Sequence, residues 1–203
     1  MALRINAYLF CWTKCFTNTI LRYELRFKTT LTLENKIAVD SVYFCINIYT
    51  LTMIINVLIV IATFAFMEFM AWFAHKFIMH GLLWCLHKDH HQVEPGFFEK
   101  NDSFFLIFAV PSAYCYMSGL IAGGDFRLYI GIGISLYGLC YFLVHDIIIH
   151  QRFKIWTHWN NRYVRAIRRA HKMHHKHLGK EQGENFGMLV VPLKYWKDPN
   201  TSK

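Results

Sequence analysis

The histidines of this chain are not scattered, because ten of the twelve fall into four short clusters. Two clusters have the spacing HxxxxH and two have the spacing HxxHH, and the two spacings alternate along the chain. Neutral imidazole is the commonest metal ligand in proteins, and ten imidazoles are more than one ion needs. The pattern therefore predicts a site for two metal ions. The clustered histidines are His75, His80, His87, His90, His91, His145, His150, His171, His174 and His175.

The spacing inside each cluster also constrains the backbone. Positions three and four apart lie on nearly the same face of an α-helix, so each HxxHH cluster can direct its three side chains toward one point. Positions five apart lie roughly 140° apart on a straight α-helix. The two HxxxxH clusters therefore predict either a π-type turn, which is frequent at functional sites, or histidine pairs that bracket a cleft from two sides.

The chain is apolar for a soluble domain of its length, since 55% of its residues are hydrophobic and only 17% are charged. Three apolar runs are long enough to cross a bilayer, which takes about 20 residues. They cover residues 53–73, 104–124 and 128–149. We therefore predict an all-α fold, an integral membrane helical bundle with three or four transmembrane helices, whose surroundings are the lipid bilayer.

The order of spans and clusters predicts that all four clusters lie at one membrane face. Two clusters follow the first span, the chain crosses the bilayer twice, and the other two clusters follow the third span. The segment after His150 contains twelve lysines and arginines, whereas the turn between the second and third spans contains only Arg127. This is the positive-inside pattern, so we expect a histidine-rich cytoplasmic cap. The net charge of +9 then needs no nucleic-acid partner, and no nucleic-acid motif is recognisable.

Residues 1–52 fit this arrangement less well, because they contain basic residues but no histidine. Met53 opens the first span, so one interpretation is that translation starts there. The alternatives are an amphipathic extension that lies on the membrane, or a further span that begins near Ile37. The expected organisation is an N-terminal extension (1–52), a membrane domain (53–195) and a C-terminal tail (196–203).

Ligand type alone leaves the metal open, because an all-imidazole shell suits zinc or iron. The six cysteines include no CxxC, so neither a disulfide framework nor a zinc–thiolate site is indicated. Zinc would act as a Lewis acid on bound water, whereas iron can activate dioxygen. Lipid-facing helices rich in Phe, Leu, Ile and Tyr indicate an apolar substrate with few hydrolysable bonds. Oxidation by a two-metal membrane enzyme is favoured, and a membrane metal-binding or transport protein without catalysis is the alternative.

The complete pattern resembles the bacterial β-carotene 3-hydroxylases, within the larger fatty acid hydroxylase and sterol desaturase group. The resemblance covers roughly residues 53–195. The motifs that carry it are HKFIMH (75–80), HKDHH (87–91), HDIIIH followed by Gln151 and Arg152, HKMHH (171–175) and GENFGMLVVP near the C-terminus.

The resemblance implies a non-haem di-iron monooxygenase of carotenoid biosynthesis in the bacterial inner membrane. Such an enzyme uses dioxygen and electrons from reduced ferredoxin to convert β-carotene through β-cryptoxanthin to zeaxanthin. It also implies that all ten clustered histidines are iron ligands and form the catalytic site. Other members of the group, namely carotenoid ketolases, sterol or fatty-acid hydroxylases and desaturases, are the alternatives.

A few residues outside the clusters carry separate expectations. Asp146 either orients a neighbouring imidazole or pairs with Arg152. Glu68 lies two helical turns before His75, and a single acid within a span indicates a structural partner or a role close to the metal. The candidates for the wall of a substrate channel are Trp72, Phe77 and Trp84.

The two remaining histidines lie outside the clusters. His158 is expected to be an ordinary residue at the membrane interface. His177, three residues after His174, is a weaker candidate for a supporting contact to a ligand.

Overall fold

A computed structural model describes residues 2–92 and 95–197, with side chains described from residue 18 onward. All regular secondary structure in these residues is helical, which confirms the all-α prediction. The α-helices are α1 (Ala2–Phe73), α2 (Trp84–His91), α3 (Phe104–Ile121), α4 (Phe126–Phe142) and α5 (Arg162–His175). Two π-helices, π1 (Ala74–Leu82) and π2 (Leu143–Ile149), follow α1 and α4. Short 3-10 turns cover Lys100–Ser103 and Leu193–Tyr195.

The chain divides into two compact units, Met1–Ile54 and Ile55–Lys203. The described part of the first unit is one stretch of α1. The second unit contains the end of α1 and every later helix. The expected C-terminal tail (196–203) lies outside the described residues from residue 198 onward. The expected start of translation at Met53 stays a prediction.

Within the described residues, three helical segments are long and apolar enough to cross a membrane, which agrees with the predicted membrane bundle. They are Asn18–Leu82, Lys100–Ile121 and Phe126–Ile149. One crossing needs only about 20 residues, so the first segment is longer than a single crossing requires. The second and third segments form a helical hairpin whose turn contains Gly123 and Gly124, both at positive φ.

Close helix packing in the second unit depends on small residues. A Cβ atom on Gly131 of α4 would lie 2.8 Å from the Tyr116 backbone nitrogen of α3. Without a side chain at this position, the two backbones can approach each other, as is common between membrane helices. Met67, Ala71 and Tyr137 form a buried cluster that joins α1 to α4. The bundle is therefore held by close packing of three helices.

Both HxxxxH clusters lie in π-helical turns, which confirms the first of the two alternatives that the spacing left open. π1 contains His75 and His80, and π2 contains His145 and ends at His150. The backbone N–H of His150 donates to the carbonyl of His145 over 2.9 Å, a hydrogen bond between residues five apart. The wider turn brings residues five apart onto one side of the helix, which a straight α-helix does not do.

Candidate metal centre

The structure gathers the ten clustered histidines at one end of the three candidate spans. Nine of them form two groups, and within each group the ligand atoms lie within 4.8 Å of one another. The first group is His75, His80, His87, His91 and His174. The second group is His90, His145, His150 and His171.

His175 belongs to neither group but lies between them. Its ring centroid is 4.5 Å from that of His91 in the first group and 4.5 Å from that of His171 in the second group. Its Nε2 atom is buried without a hydrogen-bond partner, as is the Nε2 atom of His91. All ten predicted residues therefore lie in one continuous imidazole cluster.

Each HxxHH motif is shared between the two groups. His90 points into the second group, whereas His87 and His91 belong to the first. Likewise, His171 belongs to the second group and His174 to the first. Neither group is complete without residues from both halves of the repeated pattern.

Inward-facing ring nitrogens meet in pairs. The Nε2–Nε2 distances are 3.2 Å for His75–His87, 3.2 Å for His80–His174, 3.2 Å for His90–His145 and 2.8 Å for His150–His171. In each of the first three pairs, both outer Nδ1 atoms face oxygen acceptors and so carry the hydrogen. The tautomer that follows leaves a lone pair on each Nε2 atom. Two facing lone pairs cannot hydrogen-bond to each other, whereas a cation between or beside them would satisfy both.

The two groups differ in what holds their outer nitrogens. In the first group, His75, His80, His91 and His174 donate from Nδ1 to backbone carbonyl groups, over 3.0–3.1 Å. His87, the fifth, donates to the Asn101 side-chain oxygen over 2.6 Å.

In the second group, two imidazoles face carboxylates. His90 donates from Nδ1 to Glu99 over 2.8 Å, and His145 contacts Asp146 over 3.5 Å. Carboxylate acceptors raise the basicity of an imidazole ligand more than carbonyl acceptors do, because they are charged. The two groups thus offer different electrostatic surroundings.

Burial favours the neutral form of five of these imidazoles. Burial together with the neighbouring imidazoles lowers the pKa of the ring from 6.5 to about 4 for His91, about 3 for His87, and about 2 for His150, His174 and His175. A neutral imidazole is the form that binds a metal ion. The residues present fit a pair of metal ions, since the donors lie largely buried in two groups and seven of them are oriented by outer hydrogen bonds.

A cavity of about 770 Å³ adjoins this cluster. Its walls are mainly apolar side chains of α1, α3 and α4, and it reaches His75 of the first group and His145 of the second group. Its volume is within the range typical of small-molecule sites, roughly 300–1,000 Å³. The apolar wall residues include Met67, Ala71, Phe108, Tyr137, Phe142 and Met188.

The aromatic residues suggested for the channel wall, Trp72, Phe77 and Trp84, do not line this cavity. Trp72 and Phe77 pack against each other with ring centroids 5.8 Å apart. Trp84 instead packs against the rings of His80 and His91. The face of α1 that lines the cavity carries Met67 and Ala71 and points toward α4. The aromatic residues of the wall lie at other positions, such as Phe108 and Phe142.

The expectations for residues outside the clusters agree only partly with the structure. Asp146 makes both proposed contacts, since it approaches His145 and accepts from Arg152 over 2.9 Å. His177 lies beside the cluster but contributes its backbone carbonyl, which accepts from His91. His158 is exposed and lies in neither metal-binding group.

Sequence reasoning missed two residues whose side chains hold clustered imidazoles, Glu99 and Asn101. Glu99 immediately precedes the second candidate span and Asn101 lies at its start, both within ten residues of the HxxHH motif. Asn101 is buried, although it is polar and precedes an apolar run. Two polar residues at the entry to a span, close to the predicted metal ligands, could have indicated this supporting role.

A bundle of candidate membrane helices with its histidine clusters gathered at one end defines the class as a helical membrane protein with a histidine-rich site that could hold metal ions. Residues 60–196 match the fatty acid hydroxylase family. The chain belongs to this family.

Several similar proteins carry the name β-carotene hydroxylase. The protein of that name from Pantoea ananas is 40% identical over 137 residues, which cover 68% of this chain and 78% of the relative. The one from Pseudescherichia vulneris is 41% identical over 141 residues, with the same two shares. The chloroplastic β-carotene hydroxylase 2 of Capsicum annuum is 38% identical over 62% of this chain and 41% of its own length. No solved structure matches this chain.

Proposed function

We propose that this protein is a β-carotene 3-hydroxylase, a membrane monooxygenase that converts β-carotene through β-cryptoxanthin to zeaxanthin. The observation that carries the proposal is the apolar cavity that reaches one histidine of each metal-binding group. The names of similar bacterial proteins support a carotenoid as the substrate. A protein that only stores or transports metal has no need of an apolar cavity against its ligands.

The proposed metal is iron, with one ion for each group. Two irons bound to these imidazoles would supply the activation of dioxygen and the removal of hydrogen from an unactivated C–H bond. Cysteine is absent from both groups, and the all-imidazole donor set is compatible with iron. Dioxygen is therefore the proposed co-substrate.

The residues of the chain would bind the metal ions, orient the substrate and exclude bulk water. The imidazoles provide the lone pairs, and outer hydrogen-bond partners fix seven of the ten rings before an ion arrives. The walls formed by Met67, Phe108 and Phe142 would hold an apolar polyene beside His75 and His145 and keep bulk water out. The cavity thus supplies the position of the substrate, and the cluster supplies the position of the metal.

We further propose that the four histidine clusters lie on the cytoplasmic side of a bacterial inner membrane, with reduced ferredoxin as the electron donor. The excess of lysine and arginine after the third span supports this orientation. An acidic soluble electron carrier would be attracted to the same basic segment.

Expression in a bacterial host that accumulates β-carotene, followed by pigment analysis, tests the proposal. We expect β-cryptoxanthin and zeaxanthin in cells that produce the protein, and neither in cells that produce a His174→Ala variant at equal membrane level. Ketocarotenoids would identify a ketolase instead. Unchanged β-carotene beside membrane-inserted, iron-loaded protein would contradict the assigned substrate.

A further inference from the structure

Four of the five imidazoles in the first group are held by one irregular segment, residues 177–190, which we call the carbonyl strap. Its backbone carbonyls at residues 177, 180, 184 and 186 accept from the Nδ1 atoms of His91, His80, His174 and His75, respectively. The second group makes no contact of this kind within the described residues. The orientation of the first group therefore depends on where the strap lies.

Glu68 fixes the far end of the carbonyl strap. Its Oε1 atom accepts from the backbone N–H groups of Met188, Leu189 and Val190 over 2.9–3.0 Å. These N–H groups follow the carbonyl of Phe186, on which His75 depends, by only two to four residues. The near end of the strap continues directly from α5, which ends at His175.

The same carboxylate ties the strap to two helices. Glu68 belongs to α1, and its Oε2 atom accepts from the hydroxyl of Tyr137 on α4 over 2.7 Å. A charged acceptor strengthens hydrogen bonds to backbone N–H groups, and the part-buried N–H groups of Met188 and Leu189 would be costly without an acceptor. One carboxylate thus joins α1, α4 and the strap at a point two helical turns before His75.

We propose that Glu68 is a positioning residue for the first metal-binding group, and that it acts on these imidazoles through the carbonyl strap. It does not contact a ligand itself. Its loss frees the end of the strap, so the rings that donate to the strap lose their fixed orientation. The second group, which faces Glu99 and Asp146, keeps its orientation. This inference rests on the two-metal centre of the proposed function.

Titration of the metal-free, full-length protein in detergent with cobalt(II) tests the proposal. Visible absorption reports the geometry around each bound cobalt ion, and the bound metal per chain gives the number of sites. We expect two binding steps in the unchanged protein. His80→Ala and His150→Ala assign the steps, because the first change removes a ligand of the first group and the second removes a ligand of the second group.

Glu68→Gln is the test variant. Its single amide oxygen is neutral and cannot replace two charged oxygens that accept from four donor groups. We expect about 10-fold weaker cobalt binding in the first-group step, at the low end of the roughly 10–100-fold effect of residues that support ligands. The second-group step should be unchanged.

Glu99→Gln is the matched control, because it makes the same chemical change behind His90 of the second group. It should weaken the second-group step and leave the first unchanged. Glu68→Asp, which keeps the charge, should lie between Glu68→Gln and the unchanged protein, and it serves in place of Glu68→Gln if that variant does not fold.

Equal weakening of both steps by the Glu68 variants would overturn the proposal, because it would indicate a general loss of packing. Unchanged binding in those variants would overturn it as well. An unchanged protein that binds no cobalt would instead refute the two-metal centre, and with it the proposed function. Failure of the inference and failure of the proposed function are therefore distinguishable.

Discussion

The Nε2 atoms of His80 and His174 lie 3.2 Å apart, although these residues are 94 positions apart in the sequence. Their outer nitrogens donate to two carbonyls of the same segment, those of Lys180 and Glu184. The two lone pairs thus converge because both rings are held from behind by one piece of backbone. The protein prepares this position for a cation through its own hydrogen bonds.

Loss of one converging imidazole should abolish hydroxylation. His174 is fully buried within the first group, and no neighbouring side chain can take its place. We expect His174→Ala to reduce zeaxanthin formation to background, measured per unit of membrane-inserted protein.

His158→Ala is the matched control, because this exposed histidine lies outside both groups. It should keep most of the activity. Abolition by the His158 change, or full activity in the His174 variant, would show that the cluster is not the catalytic site.

The repeated histidine spacing predicted which imidazoles gather, but not how they divide into two groups. The HxxHH motifs place three imidazoles on one helical face, and this local rule says nothing about which partner each imidazole meets. His90 and His87 are three residues apart, yet their Nε2 atoms face His145 and His75, respectively. That choice depends on how the helices pack.

The supporting contacts were hardest to predict, because many of them are made by backbone atoms. The carbonyls of Lys180 and Phe186 orient His80 and His75, and a carbonyl has no signature in a sequence pattern. The π-turn could be predicted as one alternative, since residues five apart do not lie on one face of a straight α-helix. The sequence left a second alternative open, and the backbone hydrogen bond from His150 to His145 decides between them.

Filling the cavity should reduce activity without affecting the metal. Ala109 of α3 lines the cavity, so the larger ring in Ala109→Phe occupies space proposed for the polyene. We expect a rise in KM and slower product formation with β-carotene, while the iron content stays the same.

The adjacent position supplies the control. Val110 is 64% exposed and does not line the cavity, so Val110→Phe should behave like the unchanged protein. Equal kinetics for the Ala109 and Val110 variants would mean that the substrate binds elsewhere.

Acid should destabilise the metal-free protein. Burial and the neighbouring imidazoles lower the pKa of His91 to about 4 and that of His174 to about 2, from 6.5. As the pH falls below about 6.5, the unfolded chain therefore binds more protons than the folded chain, and the stability present at neutral pH is lost. We expect the Tm of the metal-free protein to fall between pH 7 and pH 5, measured by thermal unfolding in detergent. A Tm that is constant or higher at pH 5 would contradict buried neutral imidazoles.

A methyl group at the α3–α4 contact should destabilise the bundle. In Gly131→Ala, the new Cβ atom would lie 2.8 Å from the Tyr116 backbone nitrogen and 3.0 Å from the Ser112 carbonyl oxygen, so the helices must separate. Overpacking of this kind costs about 1–3 kcal/mol. Gly138→Ala is the control, because nothing lies within 4 Å of its new Cβ atom. If both variants unfold at the same temperature, close approach at Gly131 is not required for stability.

Iron content per chain tests the central claim most directly. Ten imidazoles in two groups exceed the needs of one ion, so protein purified from iron-replete cells should contain about two irons per chain. The measurement is elemental analysis of detergent-purified protein against its concentration, with His174→Ala analysed in parallel and expected to contain less iron. About two irons per chain is the result that the two-metal centre predicts, and a single zinc ion with no iron would contradict it.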